Sequence, residues 1–191
     1  MQLLEIVPQY LFLGFKHVIP LGFDHILFIL SIFFLNSNIK SVIFQCSIFT
    51  LAHSLTLGLT AAGYLIADTR IIESLIALSI LFTSIENIVH SKINPYRLLI
   101  IFIFGLVHGM GFASALKEIG IPPNNFFSAL LFFNLGVEFG QISIIFLAYI
   151  LVSRWFSTKP YYKEKIVLPI SSVIACIAVY WTIERLFLVG Q

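Results

Sequence analysis

Charge is scarce in this chain. Only 10% of its 191 residues are Asp, Glu, Lys or Arg, and the formal net charge is +2. Such a balance offers no basic surface for a phosphate backbone to neutralise, so no nucleic-acid partner is expected. Cysteine is nearly absent: Cys46 and Cys176 sit inside apolar stretches without CxxC spacing, and they read as packing residues, not as a disulfide or metal pair. No phosphate-cradling GxxxxGK loop supplies ATP chemistry, and no GxSxG elbow presents a serine nucleophile. Residues 1–13 have neither the basic start nor the small-x-small cleavage site of a signal peptide and contain Glu5 and Pro8, so a short interfacial or partly inserted helix is expected there.

What is abundant is apolar bulk. Hydrophobic residues make up 59% of the chain, twenty of them Phe, and the mean hydropathy is +1.01. A water-soluble core of this size does not use so much apolar surface, and the expectation is an all-α polytopic transmembrane bundle forming one domain over 1–191. At about 20 residues per crossing, the apolar runs predict six membrane spans plus a short N-terminal lead-in. The first unit covers 7–35 and is interrupted near Pro20 and Gly22, where Pro removes a backbone donor, so its crossing is expected to start at about Gly22. The others are expected over 41–65, 71–89, 96–116, 125–153 and 166–189.

Loop charges orient the bundle. Lys40, Lys92, Arg97, Arg154, Lys159, Lys163 and Lys165 fall on one side; Lys16, Arg70, Lys117 and Arg185 fall on the other, diluted by Glu5, Asp68 and Glu118. The positive-inside rule then puts both termini outside and the 153–165 loop in the cytoplasm.

Against this background the polar residues inside the apolar runs stand out: Asp24 and His25, His53, Glu86 with Asn87, His108, and Asn134 with Glu138 and Gln141. An ionisable group at bilayer depth costs roughly 2.5–3.5 kcal/mol on insertion scales. It persists where it faces a partner, a water-filled cavity or an ion. Asn134, Glu138 and Gln141 are spaced i, i+4, i+7, as are Ser79, Thr83 and Glu86, while Thr50, His53, Ser54 and Thr56 cluster over two turns. Three helices with one polar stripe each predict an inward-facing polar core. No Lys or Arg is expected at membrane depth to neutralise Glu86 or Glu138, which leaves a proton or a bound cation. Imidazole, carboxylate and amide together suit a first-row transition metal. Ser54, Asn134, Gln141 and Thr83 also read as plain interhelical hydrogen-bond partners, His17 as ligand or surface residue, and His90 as interfacial. Gly105 and Gly109 bracket His108, and Gly136 and Gly140 bracket Glu138; this GxxxG spacing is expected to draw the fourth and fifth spans together.

The stretch His17-Val-Ile-Pro20-Leu-Gly22-Phe-Asp24-His25 resembles the H-x-x-P-x-G-x-D-H signature of the HupE/UreJ family of small membrane proteins. Phe49-Thr-Leu-Ala-His53-Ser-Leu-Thr-Leu57, Gly105-Leu-Val-His108-Gly-Met-Gly111-Phe-Ala113 and Phe133-Asn-Leu-Gly-Val-Glu138-Phe-Gly-Gln141 are similar to its later blocks, in the same order. The resemblance implies a nickel or cobalt permease in a bacterial inner membrane. It implies His17, Asp24, His25, His53 and His108 as cation contacts and Glu138 as a further one; Ser54, Glu86, Asn87, Asn134 and Gln141 are expected from their positions as secondary polar lining.

Three functions compete at this stage. Transport of a divalent cation (Ni, Co or Zn) across the lipid bilayer leads. An intramembrane zinc-dependent hydrolase is the alternative, with His25, His53 and His108 as ligands and Glu138 as base. In the third, the polar core merely fixes helix packing in a partner subunit. The composition leaves assembly into a homo-oligomer open.

Overall fold

The computed structural model describes residues 3–35, 38–90, 95–112 and 123–188. Seven helices account for most of them: α1 Leu3–Val18, α2 Phe23–Leu35, α3 Ile39–Ala61, α4 Thr69–Val89, α5 Arg97–Gly111, α6 Phe126–Phe156 and α7 Lys163–Phe187. No strand occurs among the described residues. Local chemistry sets several boundaries. Asn38 caps α3 by accepting from the Ser41 amide at 3.2 Å, and Asp68 caps α4 by accepting from the amides of Arg70 and Ile71. The last turns of α6 widen into π-helix over Tyr149–Ser153, and α7 begins and ends in π turns, at Lys163–Val167 and Glu184–Leu188.

α3, α4, α6 and α7 are each long and apolar enough to cross a bilayer. α1 and α2 meet that test only as a pair, bent by 68° at the 19–22 break. A full first crossing from Gly22 is therefore not what forms. The 13 residues of α2 reach about 20 Å, short of the ~30 Å hydrocarbon layer, so α2 alone does not cross, and the bent pair has the form of a broken span or a re-entrant loop. α5 is a shorter apolar helix of 15 residues; its expected extension over 113–116 lies outside the described residues, as do Lys92, Lys117 and Glu118.

Large apolar side chains point away from the bundle, among them Phe44, Leu51 and Leu55 of α3 and Phe139, Phe146 and Leu147 of α6. Lipid tails match such a surface, so burying apolar area supplies little net drive, and close packing with interhelical hydrogen bonds holds the helices instead. The most extensive pairings are α1 with α6, α3 with α5 and α4 with α7, while α2 lies among α3, α4, α6 and α7. Its Phe28, Ile29, Ile32 and Phe33 are fully buried.

The glycine motifs act where backbones touch, but not between α5 and α6 as expected; those two make no extended contact among the described residues. A Cβ at Gly105 would meet the Phe49 carbonyl, and one at Gly109 the His53 carbonyl and Thr56 hydroxyl, so both seat α5 on α3. Gly136 and Gly140 seat α6 on α1, against Leu11 and Val18. Small residues permit close approach without specifying the partner.

Hydrogen bonds fill in the same pairings. Ser31 of α2 contacts Thr83 at 2.6 Å, Asn87 donates to the Ser31 carbonyl and to Ser171 of α7, and Thr56 donates to the Leu106 carbonyl of α5. The α4 stripe thus faces inward as its spacing predicts, yet it serves α2, α5 and α7 separately.

Candidate metal centre

Three helices deliver imidazoles to one place. His17 lies in the last turn of α1, His25 in the first turn of α2, and His53 beyond the middle of α3. The break between α1 and α2 brings the first two face to edge, with ring centroids 4.6 Å apart. His53 lies 5.9 Å from His17 and 5.7 Å from His25. Each ring offers one nitrogen to a set lying within 4.8 Å. Ligands about 2.1 Å from an ion at tetrahedral angles lie about 3.4 Å apart, so closure needs a contraction of about 1.4 Å at the widest pair.

His108 of α5 is the fourth imidazole, 5.3 Å from His25 by ring centroid. Its Nε2 contacts Ser79 Oγ at 3.0 Å, and the Ser79 hydroxyl also donates to the Ile76 carbonyl at 2.7 Å. A hydroxyl has one proton, so Ser79 receives from His108, which fixes the Nε2–H tautomer and leaves Nδ1 with its lone pair. All four rings are nearly or fully buried, from 9% exposure at His17 to none at His53.

Buried polar atoms in proteins are almost always bonded. Here His17 Nε2, His25 Nε2, both nitrogens of His53 and His108 Nδ1 have no partner among the described residues. Asn134 of α6 lies beside His53; its Nδ2 donates to the Leu130 carbonyl at 2.8 Å and its Oδ1 is also unpartnered. Orphaned nitrogens converging from α1, α2 and α3 fit a cation's donor set, with His108 beside it but outside the 4.8 Å group, and Phe28, Phe49, Phe112 and Phe133 pack against the rings.

A cavity of about 320 Å³ leads to these rings, lined by Lys16, His17, Asp24, His25, Glu73, His108 and Arg185. Its mouth lies where α1, α5 and α7 end and α2 and α4 begin. Asp24 sits in this cavity, but its carboxylate accepts from Arg185 Nη2 at 3.0 and 3.1 Å.

The other acidic residues go elsewhere. Glu138 is half-buried and accepts from Ser47 at 2.6 Å, on the α3–α6 interface. Gln141 accepts from Thr50 at 3.1 Å on the same interface. Ser54 donates only into its own helix, to the Thr50 carbonyl. The expectation that no cation reaches Glu86 is overturned: Arg97, read as a loop charge, is 2% exposed and pairs with Glu86, while its Nε donates to Gln45 at 2.7 Å. This ion pair closes the end of the bundle opposite the cavity, where α2 and α4 end and α3 and α5 begin. Asn87 joins α2 and α7 and does not reach the rings. His90 is exposed, as an interfacial residue should be.

Sequence reasoning missed the partners of these groups. Arg97 and Arg185 entered only as orientation charges, although each lies within one turn of an apolar run, where an arginine can fold inward as readily as out. Ser79 stood in the α4 stripe without being linked to His108.

The fold and the site define a small, all-helical integral membrane protein with imidazoles gathered at a broken span. The match to a family model described as HupE / UreJ protein extends over residues 2–185, nearly the whole chain, and the chain belongs to that family. No curated protein and no solved structure matches it.

Proposed function

We propose that this chain carries a divalent first-row transition-metal cation, nickel or cobalt, across the bilayer, and that the imidazole cluster is where the cation sheds its water. The observation that carries this is the convergence of His17, His25 and His53, with ligand atoms within 4.8 Å, at a break between two half-helices. Discontinuous spans are where transporters commonly place ion sites. Neutral imidazoles suit Ni, Co and Zn alike, and membership of a family associated with nickel and cobalt uptake favours the first two. A pathway must bind strongly enough to strip water yet release the ion; a site of three or four neutral ligands without a carboxylate meets that need better than a charged one.

The cavity would face outward and the 153–165 loop the cytoplasm, in keeping with Lys40, Arg154, Lys159, Lys163 and Lys165 at the opposite end. Energy would come from a gradient or a partner. Hydrolysis is less well supported, because a metal-bound water needs a nearby base, whereas Glu138 is engaged by Ser47 and Asp24 by Arg185.

The test is uptake of radioactive nickel by proteoliposomes holding the parent, His25→Ala or His53→Ala, with insertion checked for each. Both variants should insert normally and lose uptake. Parental uptake by inserted His53→Ala would end the transport reading.

A further inference from the structure

We infer that Arg185 is a built-in competitor for the cation: its guanidinium occupies Asp24 at the cavity mouth, and a divalent ion must displace it to reach the imidazoles. This rests on the transport reading above and adds a residue that sets which ions pass. The side chain is held from three directions. Nη2 donates to both oxygens of Asp24 at 3.0 and 3.1 Å, Nη1 donates to the Glu73 carbonyl at 3.0 Å, and the guanidinium carbon lies 5.1 Å from the centre of the Trp181 ring. The last two contacts do not involve Asp24, so Arg185 retains a seat when the carboxylate is taken from it. Arg185 and Asp24 line the same cavity as His17, His25 and His108, and their side chains keep 15% and 28% of their exposure. An incoming ion therefore meets this pair before the buried rings.

Valence decides the exchange. A monovalent ion brings Asp24 no more charge than the guanidinium does, forfeits two charge-assisted hydrogen bonds and is repelled by the arginine still seated beside it. A divalent ion doubles the Coulomb attraction to the same carboxylate and then finds the imidazole nitrogens behind it. The charged groups around the mouth are Lys16, Asp24, Glu73 and Arg185. Of these, Asp24 and Arg185 are the pair in direct contact.

The experiment is Co2+ titration of the purified full-length protein in nanodiscs, read by visible absorbance, with Na+ or N-methylglucamine as the supporting cation at equal ionic strength. Arg185→Gln should lower half-saturating Co2+ about fivefold, the scale of losing one partly exposed ion-pair competitor, and Co2+ binding should become sensitive to Na+. Arg185→Lys keeps the charge without the fork; it should tighten Co2+ by a smaller factor and stay insensitive to Na+. Asp24→Asn should weaken binding and erase the effect of Arg185→Gln. A merely structural arginine would not create sodium sensitivity. Unchanged or weaker Co2+ binding by Arg185→Gln, with the parent binding normally, would overturn the competitor role and leave transport standing. Failure of the parent to bind Co2+ at all would instead remove the transport reading. Should Arg185→Gln not survive purification, Arg185→Lys decides alone, and no tightening counts against the proposal.

Discussion

Replacing Arg97 by Met tests whether the end of the bundle opposite the cavity is held by charge. Arg97 and Glu86 are 2% and 7% exposed. The guanidinium serves Glu86, donates to Gln45 Oε1 at 2.7 Å and lies 3.5 Å from the Ile32 carbonyl, so α2, α3, α4 and α5 all meet on it. Methionine keeps much of the stem volume but leaves a buried carboxylate and an amide oxygen without a donor. Removing one member of a buried pair costs about 3–5 kcal/mol. The double variant Arg97→Met/Glu86→Leu removes the stranded charge, and such replacements are commonly neutral or stabilising; it should recover most of the loss. Reversible unfolding in bicelles by steric trapping measures both. An Arg97→Met protein within about 1 kcal/mol of the parent, or a double variant no more stable than the single one, would refute the reasoning.

Two further predictions concern the metal centre and its frame. Ser79→Ala removes the acceptor that fixes the His108 tautomer and should weaken Co2+ binding about 10–100-fold with little change in stability; an unchanged titration would show that His108 needs no such support. Gly109→Ala drives a methyl into the His53 carbonyl and Thr56 hydroxyl and should cost about 1–3 kcal/mol. In Gly111→Ala the new methyl meets no backbone, only the Ile76 side-chain end and, in ordinary contact, a methyl of Ile72, and should be tolerated; thermal unfolding of both in detergent checks the contrast.

The helical architecture and the polar faces were legible because periodicity is local. Ser79, Thr83 and Glu86 share a face whatever surrounds them, and the runs containing His53 and His108 are helical on hydropathy alone. That the imidazoles meet was also anticipated, since lone rings at membrane depth need partners. Pairwise contacts were not legible. Gly105 and Gly109 announce a close neighbour without naming α3, and Gly136 gives no hint of α1. Arg97 follows Pro95 and Tyr96 at the start of an apolar run, where its long stem can snorkel to water or turn inward; only the placement of Glu86 and Gln45 decides. Of the acids expected beside the imidazoles, Asp24 lines their cavity, while Glu86 and Glu138 go elsewhere for the same reason. Glu138 and Asn134 lie on one stripe of α6, yet Glu138 meets Ser47 and Asn134 lies beside His53, because one face of a helix spans several neighbours along its length.

The bend between α1 and α2 puts two of the clustered imidazoles on helices with different main neighbours. His17 travels with α1, which is clasped to α6 along Gly14 and Gly136, whereas His25 travels with α2, wedged among four other helices. The 4.6 Å between their rings therefore depends on the 68° bend at residues 19–22. A change in that angle alone would part His17 from His25 with every helix intact.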